Sequence, residues 1–240
     1  MLAANKEELY NLESFGSEYI FQNFHNTDAF VLRELEQRLI CEYFTDKRGT
    51  VLDLGCGYGR TTVPLANMGY RITGIDVVPR MIETAKLEHP EMDYQLMSAT
   101  DLKFGDASFK YVLFSFNGID CIYPEQRRQQ ALAEICRVLK PGGICILTSN
   151  NRATQFTRPR RHLLTMFWKT FRSGLLFSPY ILSHHQGGDQ VTFSRMPLFQ
   201  VRNFNSAGFD VLLVIGKRHT RWMALNLFES WPYYVLRVKK

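Results

Sequence analysis

Apolar residues switch between strand-like runs and helix-like spacing along the first 150 positions. TVLDLG at 50–55 reads as a buried strand, and RTTVPLANMG at 60–69 as a helix closed by Gly69. RITGIDV at 71–77 is a second strand, followed by a helix in VPRMIETAKLEH at 78–89. MDYQLMSATDL at 92–102 is a third strand with its loop, and YVLFSFNGI at 111–119 a fourth strand. PEQRRQQALAEICRVLK at 124–140 is a helix, stopped by Pro141-Gly142-Gly143 before a fifth strand, ICILTSNN, at 144–151. Upstream, residues 28–44 place Phe30, Val31, Leu35, Leu39, Ile40, Tyr43 and Phe44 at helical spacing. Strand and helix alternate five times. Strands this continuously apolar predict a parallel sheet covered on both faces.

The tail has a different pattern. FQVRNFNSAGF at 199–209 reads as a helix closed by Gly208, and DVLLVIGK and YYVLRVK as two late strands with no helix predicted between them. Strands joined without a crossover helix pair antiparallel. The reading is one domain over 1–240: a helical cap at 1–47, a core at 48–151, an inserted lid at 152–192, and a terminal helix with a strand pair at 193–240. The fold class is α/β, a Rossmann-like doubly wound sheet with a lid segment inserted.

Composition narrows the class. The chain has 240 residues, 45% of them hydrophobic, enough for one large core. Five cysteines show no C-x-x-C spacing, which predicts neither a zinc site nor a disulfide framework and suits a reducing compartment. The first residues lack a signal-peptide core, and no apolar window approaches ~18 residues, so a cytoplasmic location is expected. Charge is uneven. Residues 1–134 hold 13 Lys/Arg against 20 Asp/Glu, residues 135–188 hold 8 against none, and residues 189–240 hold 8 against 3. A basic second half suits an anionic substrate, a membrane surface or nucleic acid, and equally a plain solvated face.

The candidate chemistry starts at DLGCGYG, residues 53–59. Gly55, Gly57 and Gly59 open a strand–turn–helix unit whose backbone N–H groups face outward from the carboxyl end of the sheet. The spacing is not the G-x-G-x-x-G of dinucleotide folds, and Asp53 just before it would repel a pyrophosphate. A carboxylate there suits a ligand with a nucleoside and a positive end. Asp76 ends the second strand, where a carboxylate can accept both hydroxyls of a ribose or cap the next helix. Asp101 ends the third strand, where it can accept from an adenine amino group or sit in a turn.

These residues in this order resemble the class I S-adenosylmethionine-dependent methyltransferases. DLGCGYG resembles that family's glycine motif, GIDVVPRMIETA its ribose motif, and ATDLKF its adenine motif. FKYVLFSFNGID resembles its fourth strand and RVLKPGGICIL the turn into its fifth. The resemblance implies a seven-stranded sheet, mostly parallel, with an antiparallel last strand. It implies S-adenosylmethionine as cofactor and S-adenosylhomocysteine as product; no metal is expected. Cofactor contacts are then expected at Asp53, Gly55, Cys56, Gly57, Gly59, Asp76, Val77, Met81, Thr100, Asp101, Leu102, Phe116 and Asn117, with Tyr19, in the 14–26 stretch, folding over the cofactor.

Methyl transfer to a hydroxyl benefits from a base. The candidates are His184 and His185 near the end of the insertion and Asp120 after strand four, which can instead cap the following helix. The insertion mixes Phe156, Trp168, Phe171, Phe177 and Tyr180 with Arg158, Arg160 and Arg161. It reads either as a lid with an apolar pocket and a basic rim or as an ordinary helical subdomain. The expected function is methylation, on oxygen, of a small-molecule acceptor such as a natural product, sugar or lipid-like molecule. A nucleic-acid methyltransferase is disfavoured, because FNGID lacks an N-P-P-Y-like ending and no appended binding module is present. A non-catalytic S-adenosylmethionine-binding protein is the remaining class, since fold does not fix function.

Overall fold

The computed structural model describes residues 6–19, 22, 30–157, 168, 178–185 and 188–239. Strand–helix alternation appears as read: β1 (Thr50–Leu54), α3 (Thr62–Asn67), β2 (Arg71–Asp76), α4 (Pro79–Glu88), β3 (Asp93–Leu96), β4 (Phe109–Phe114), α5 (Glu125–Val138) and β5 (Leu139–Thr148). Ahead of them lie α1 (Lys6–Gly16) and α2 (Glu34–Tyr43). The insertion contributes a hairpin, β6 (Tyr180–His185) and β7 (Gly188–Phe193). The tail contributes α6 (Pro197–Ser206), β8 (Phe209–Ile215), α7 (Trp222–Phe228) and β9 (Tyr233–Val238).

The sheet order is β3-β2-β1-β4-β5-β9-β8, with β9 antiparallel to both of its neighbours and the other pairs parallel. The chain reverses direction beside β1, between β1–β2–β3 on one side and β4–β5 on the other. That reversal opens a crevice at the carboxyl ends of the strands. Two apolar layers enclose the sheet. One packs α5 and α6 through Leu132, Ile135 and Phe204, and the other packs α2 through Leu39, Ile40 and Phe44.

The third strand is Asp93–Leu96, with its loop turning at Ser98 to Asp101 as read. Two readings are corrected. The helix predicted over 28–44 starts at Glu34, because Phe30 takes a positive φ of 37° and Arg33 is extended. A short helix, α7, does lie between the last two strands. WMALNLF is apolar nearly throughout, so it carries no periodic stripe to announce it.

A buried polar cluster ties the ends of β4 and β5 together. The fully buried Asp120 accepts from Ser149 Oγ at 2.8 Å and from the Asn150 backbone N–H at 2.5 Å. Arg128, also fully buried, lies 3.9 Å from it, stacks 4.0 Å over the Phe193 ring of β7, and donates to Gln200. Gln200 in turn donates to Ser149. Burial raises the Asp120 carboxyl above its ordinary range, and Arg128 and the N–H and O–H donors oppose that. Removing one partner of such a pair strands a buried charge. Asp120→Ala should therefore lower unfolding free energy by about 3–5 kcal/mol, measured by urea denaturation. The double change Asp120→Asn with Arg128→Met should recover a large part. A loss under about 1 kcal/mol for the single change would refute the pairing.

Candidate active site

β1 and β2 run in parallel register, Leu54 level with Ile75, so the glycine turn after β1 meets Asp76 at the end of β2. Gly57 has φ +57°, and its N–H donates to Asp76 Oδ2 at 2.9 Å. The Val78 N–H donates to Asp76 Oδ1 at 2.9 Å. One carboxylate thus fixes both the glycine turn and the start of α4. Each of its oxygens keeps acceptor capacity, since a carboxylate accepts about four hydrogen bonds. A Cβ added at Gly57 would meet no atom within 4 Å, so that position faces open space. A Cβ at Gly59, φ +101°, would come within 2.1 Å of Tyr94 Oη. The first glycine keeps the cradle clear, and the second lets the turn close on β3.

Asp53 is fully buried below the turn. Its Oδ2 accepts from Thr61 Oγ1 at 2.6 Å and Thr62 Oγ1 at 2.7 Å. Its Oδ1 is buried with no hydrogen-bond partner, so it has acceptor capacity left for a donor at the turn.

The cavity over this turn, about 250 Å³, has two halves. The polar half is Gly55 to Tyr58, Asp76 to Val78, Met81 and Met97 to Thr100. The other half is largely apolar: Leu12 and Phe15 from α1, Phe114 and Phe116 at the end of β4, and Cys121 and Ile122 beyond it. Asn11 anchors α1 there, donating to the Cys121 carbonyl at 2.7 Å and the Val191 carbonyl at 2.8 Å, and accepting from the Val191 N–H at 2.8 Å. α1 therefore straps the cavity wall to the inserted hairpin.

Arg60 also lines the cavity but is committed elsewhere. It grips buried Glu36 with two nitrogens, at 3.1 and 3.2 Å, and donates to the Val31 carbonyl. Glu36 further accepts from Ser115 Oγ and from the Arg33 N–H. The Arg33 and Arg60 guanidinium groups each lie over the Phe116 ring, at 4.1 and 4.3 Å. Phe116 and Asn117 hold left-handed backbone, φ +51° and +57°. This cation–ring packing holds Phe116 in place at the junction of the two halves.

Of the residues expected from the sequence, Gly55, Cys56, Gly57, Asp76, Val77, Met81, Thr100 and Phe116 line the cavity. Asp53 and Gly59 support it from beneath. Leu102 is in the core, and Asn117 turns its amide to Asn150. Asp101 is exposed and paired with Lys103 at 2.6 Å, and Ser98 and Thr100 form the cavity edge in its place. Tyr19 is exposed and outside the lining, and α1 covers the cavity with Leu12 and Phe15 instead. Most of 20–29 lies outside the described residues. Asp120 is sealed in its cluster and does not line the cavity. His184 and His185 pair with Asp189 and Gly188 on the hairpin, and their side chains lie outside the described residues, as do Phe156, Arg158, Arg160, Arg161, Phe171 and Phe177. Asn11, Leu12, Phe15, Tyr58, Arg60, Ser115, Cys121 and Ile122 are lining residues the sequence did not single out. Among the described residues no His/Cys/Asp/Glu cluster suits a metal ion.

A glycine turn bridged by a strand-end carboxylate, at the switch point of the β3-β2-β1-β4-β5-β9-β8 sheet, is the class I methyltransferase architecture. Residues 51–143 match the family model described as a methyltransferase domain, and the sheet has the class I S-adenosylmethionine-dependent methyltransferase fold. It is similar to an uncharacterised methyltransferase of Synechocystis, 38% identical over 106 residues, 44% of this chain and 49% of that protein. It is also similar to an O-methyltransferase of Aspergillus sclerotiorum, 38% identical over 99 residues, 38% of this chain and 36% of that one. The chain aligns with about half or less of the length of these relatives. A Burkholderia thailandensis N1-methyltransferase, crystallised with 1,6-didemethyltoxoflavin and S-adenosylhomocysteine, shares the fold. Its TM-score is 0.66 at 17% identity, covering 100% of this chain and 92% of that one. No helix among the described residues is long and apolar enough to cross a membrane.

Burial pushes the Asp53 carboxyl up to about 6, against the two threonine hydroxyls that lower it. The folded state therefore holds this proton more tightly than the unfolded chain. The resulting stabilisation is complete below about pH 4 and is lost as pH rises through about 6. Asp53→Asn should reduce the pH dependence of the melting temperature between pH 4 and 7, removing a contribution of at most about 3 kcal/mol while that of Asp120 remains. A variant whose pH profile matches the parent's would contradict this.

Proposed function

We propose that this chain transfers a methyl group from S-adenosylmethionine to the hydroxyl of a small, largely apolar acceptor. The observation that carries the reading is the continuity of one cavity from the glycine turn and Asp76 to the apolar wall of Phe15, Phe116 and Ile122. The polar half fits the nucleoside. Asp76 has acceptor capacity for ribose hydroxyls, the open face at Gly57 admits a ligand against the backbone, and the partnerless Asp53 Oδ1 suits the electrostatics of an ammonium-bearing ligand. When bound, S-adenosylmethionine supplies an already activated methyl group.

The chain's own residues then position the acceptor and exclude water. Placing a nucleophile within about 3 Å of its target, correctly aligned, supplies much of the acceleration in such reactions. Phe116, held by two guanidinium groups, and Ile122 form the wall that orients the acceptor. Proton removal falls to His184 or His185 of the insertion. Asp120 is sealed away, and burial holds the Cys121 thiol up at about 12, so it stays protonated near neutral pH. The inserted hairpin docks on α1 through Asn11 and Val191, which supports assigning the insertion the role of acceptor lid. The relative described as an O-methyltransferase supports oxygen as the acceptor atom. A cytoplasmic setting suits this chemistry.

The test is turnover of S-adenosylmethionine with a panel of phenols, catechols and hydroxyquinones, read as S-adenosylhomocysteine release matched by methylated product. Ile122→Arg should lower turnover of the best acceptor by about tenfold or more while leaving nucleoside affinity within about twofold. Release that no acceptor accelerates, or a variant as active as the parent, would overturn the reading.

A further inference from the structure

α7 faces the wrong way for a water-soluble surface. Of WMALNLF, the buried positions are Leu225 and Asn226. Trp222, Met223 and Phe228 are 46%, 77% and 53% exposed, and Trp231 just beyond the helix is 53% exposed. Polar contacts fix this orientation. Asn151 donates to the carbonyls of Leu225, Asn226 and Glu229, pulling the backbone of the helix end onto the body. Asn226 accepts from the Leu198 N–H at 2.9 Å, seating the start of α6 alongside, and there Leu198 and Phe199 are also exposed. The result is a contiguous apolar face of two tryptophans, two phenylalanines, a methionine and leucines. A helix turned outward in this way has an apolar face that its own chain does not cover among the described residues.

The charge around this face is of one sign. Lys217, Arg218 and Arg221 are exposed just ahead of α7, and Arg202 lies beside Phe199. Glu229, the one acid between 211 and 240, is buried, with its carboxylate accepting the Arg218 and His219 N–H groups. Asp210 is paired with Arg237 at the other end of β8. Because β8 runs parallel to β5, the β8–β9 connection lies at the carboxyl edge of the sheet, the same edge that holds the cavity.

From these observations we infer that α7, with the start of α6, docks on an anionic lipid surface. Tryptophan and phenylalanine would enter the headgroup–acyl boundary, and the arginine and lysine rim would meet the acidic headgroups. An apolar helix face bounded by basic residues, with tryptophan at its ends, matches the chemistry of that boundary. Docking there turns the cavity edge toward the bilayer, where an apolar acceptor would be concentrated. The inference stands on the surface alone and does not depend on the proposed reaction.

The test is flotation of the full chain with vesicles of pure phosphatidylcholine and of phosphatidylcholine with about 30% phosphatidylglycerol, paired with tryptophan emission. Two of the three tryptophans lie on this face. Binding to the anionic vesicles with a blue shift is expected, weakening as salt rises and absent with pure phosphatidylcholine. Trp222→Ser with Met223→Glu and Phe228→Ser should lower partitioning by about tenfold or more, and so should Arg218→Glu with Arg221→Glu. Both variants should keep the parent's melting temperature and S-adenosylhomocysteine affinity, which shows that the fold and the cofactor site are intact. No binding to anionic vesicles at low salt would overturn the inference. So would partitioning unchanged in both variants, self-association abolished by the first variant in place of vesicle binding, or retention of a single-stranded RNA oligonucleotide without vesicle binding.

Discussion

Much of the molecule's functional surface depends on one carboxylate. Asp76 accepts the Gly57 N–H with one oxygen and the Val78 N–H with the other. It thereby sets the glycine turn after β1 and the first turn of α4 in one rigid frame. Burial raises its pKa, and the two backbone N–H groups, with Val77, pull it back. A half-buried acceptor with capacity to spare, beside a backbone that no side chain covers, is what a ribose-bearing ligand requires. The parallel register of β1 and β2 is what brings the two together, so a sheet-wide property decides a local one.

The apolar half of the cavity is built from farther away. Glu36, on α2, is buried because Arg60, Ser115 and its own helix start all bond to it. Arg60 then holds Phe116 by stacking, with Arg33 also on that ring. Asn11 reaches from α1 to the loop after β4 and to the inserted hairpin at once. The hydrogen bonds among these contacts are buried or part-buried, so a missing partner there costs free energy. The apolar wall is therefore held by polar groups that α1, α2 and the inserted hairpin bring together.

That division explains what the sequence made legible. The sheet, its antiparallel last strand, the glycine turn and Asp76 could all be read, because period, turn chemistry and motif order are local signals. Asp101, expected at the ligand from its strand-end position and the ATDLKF motif, is exposed in this structure and paired with Lys103 two residues on. Leu12 and Phe15 were not found, because a short amphipathic helix gives no sign of what it will cover. Arg60 and Glu36 lie 24 residues apart, and only the packing of α2 beside the glycine turn makes them a pair. α7 was missed for a related reason: an apolar helix turned outward breaks the rule by which helices are recognised.

The account turns on the carboxylate at position 76 serving the ligand as well as the turn. Isothermal titration of S-adenosylhomocysteine into the parent and into Asp76→Asn, with near-ultraviolet circular dichroism confirming an unchanged fold, measures this directly. Saturable one-to-one binding by the parent, weakened about tenfold to a hundredfold by the amide, is the result expected. Equal affinity in both proteins, or no binding by the parent, would contradict it.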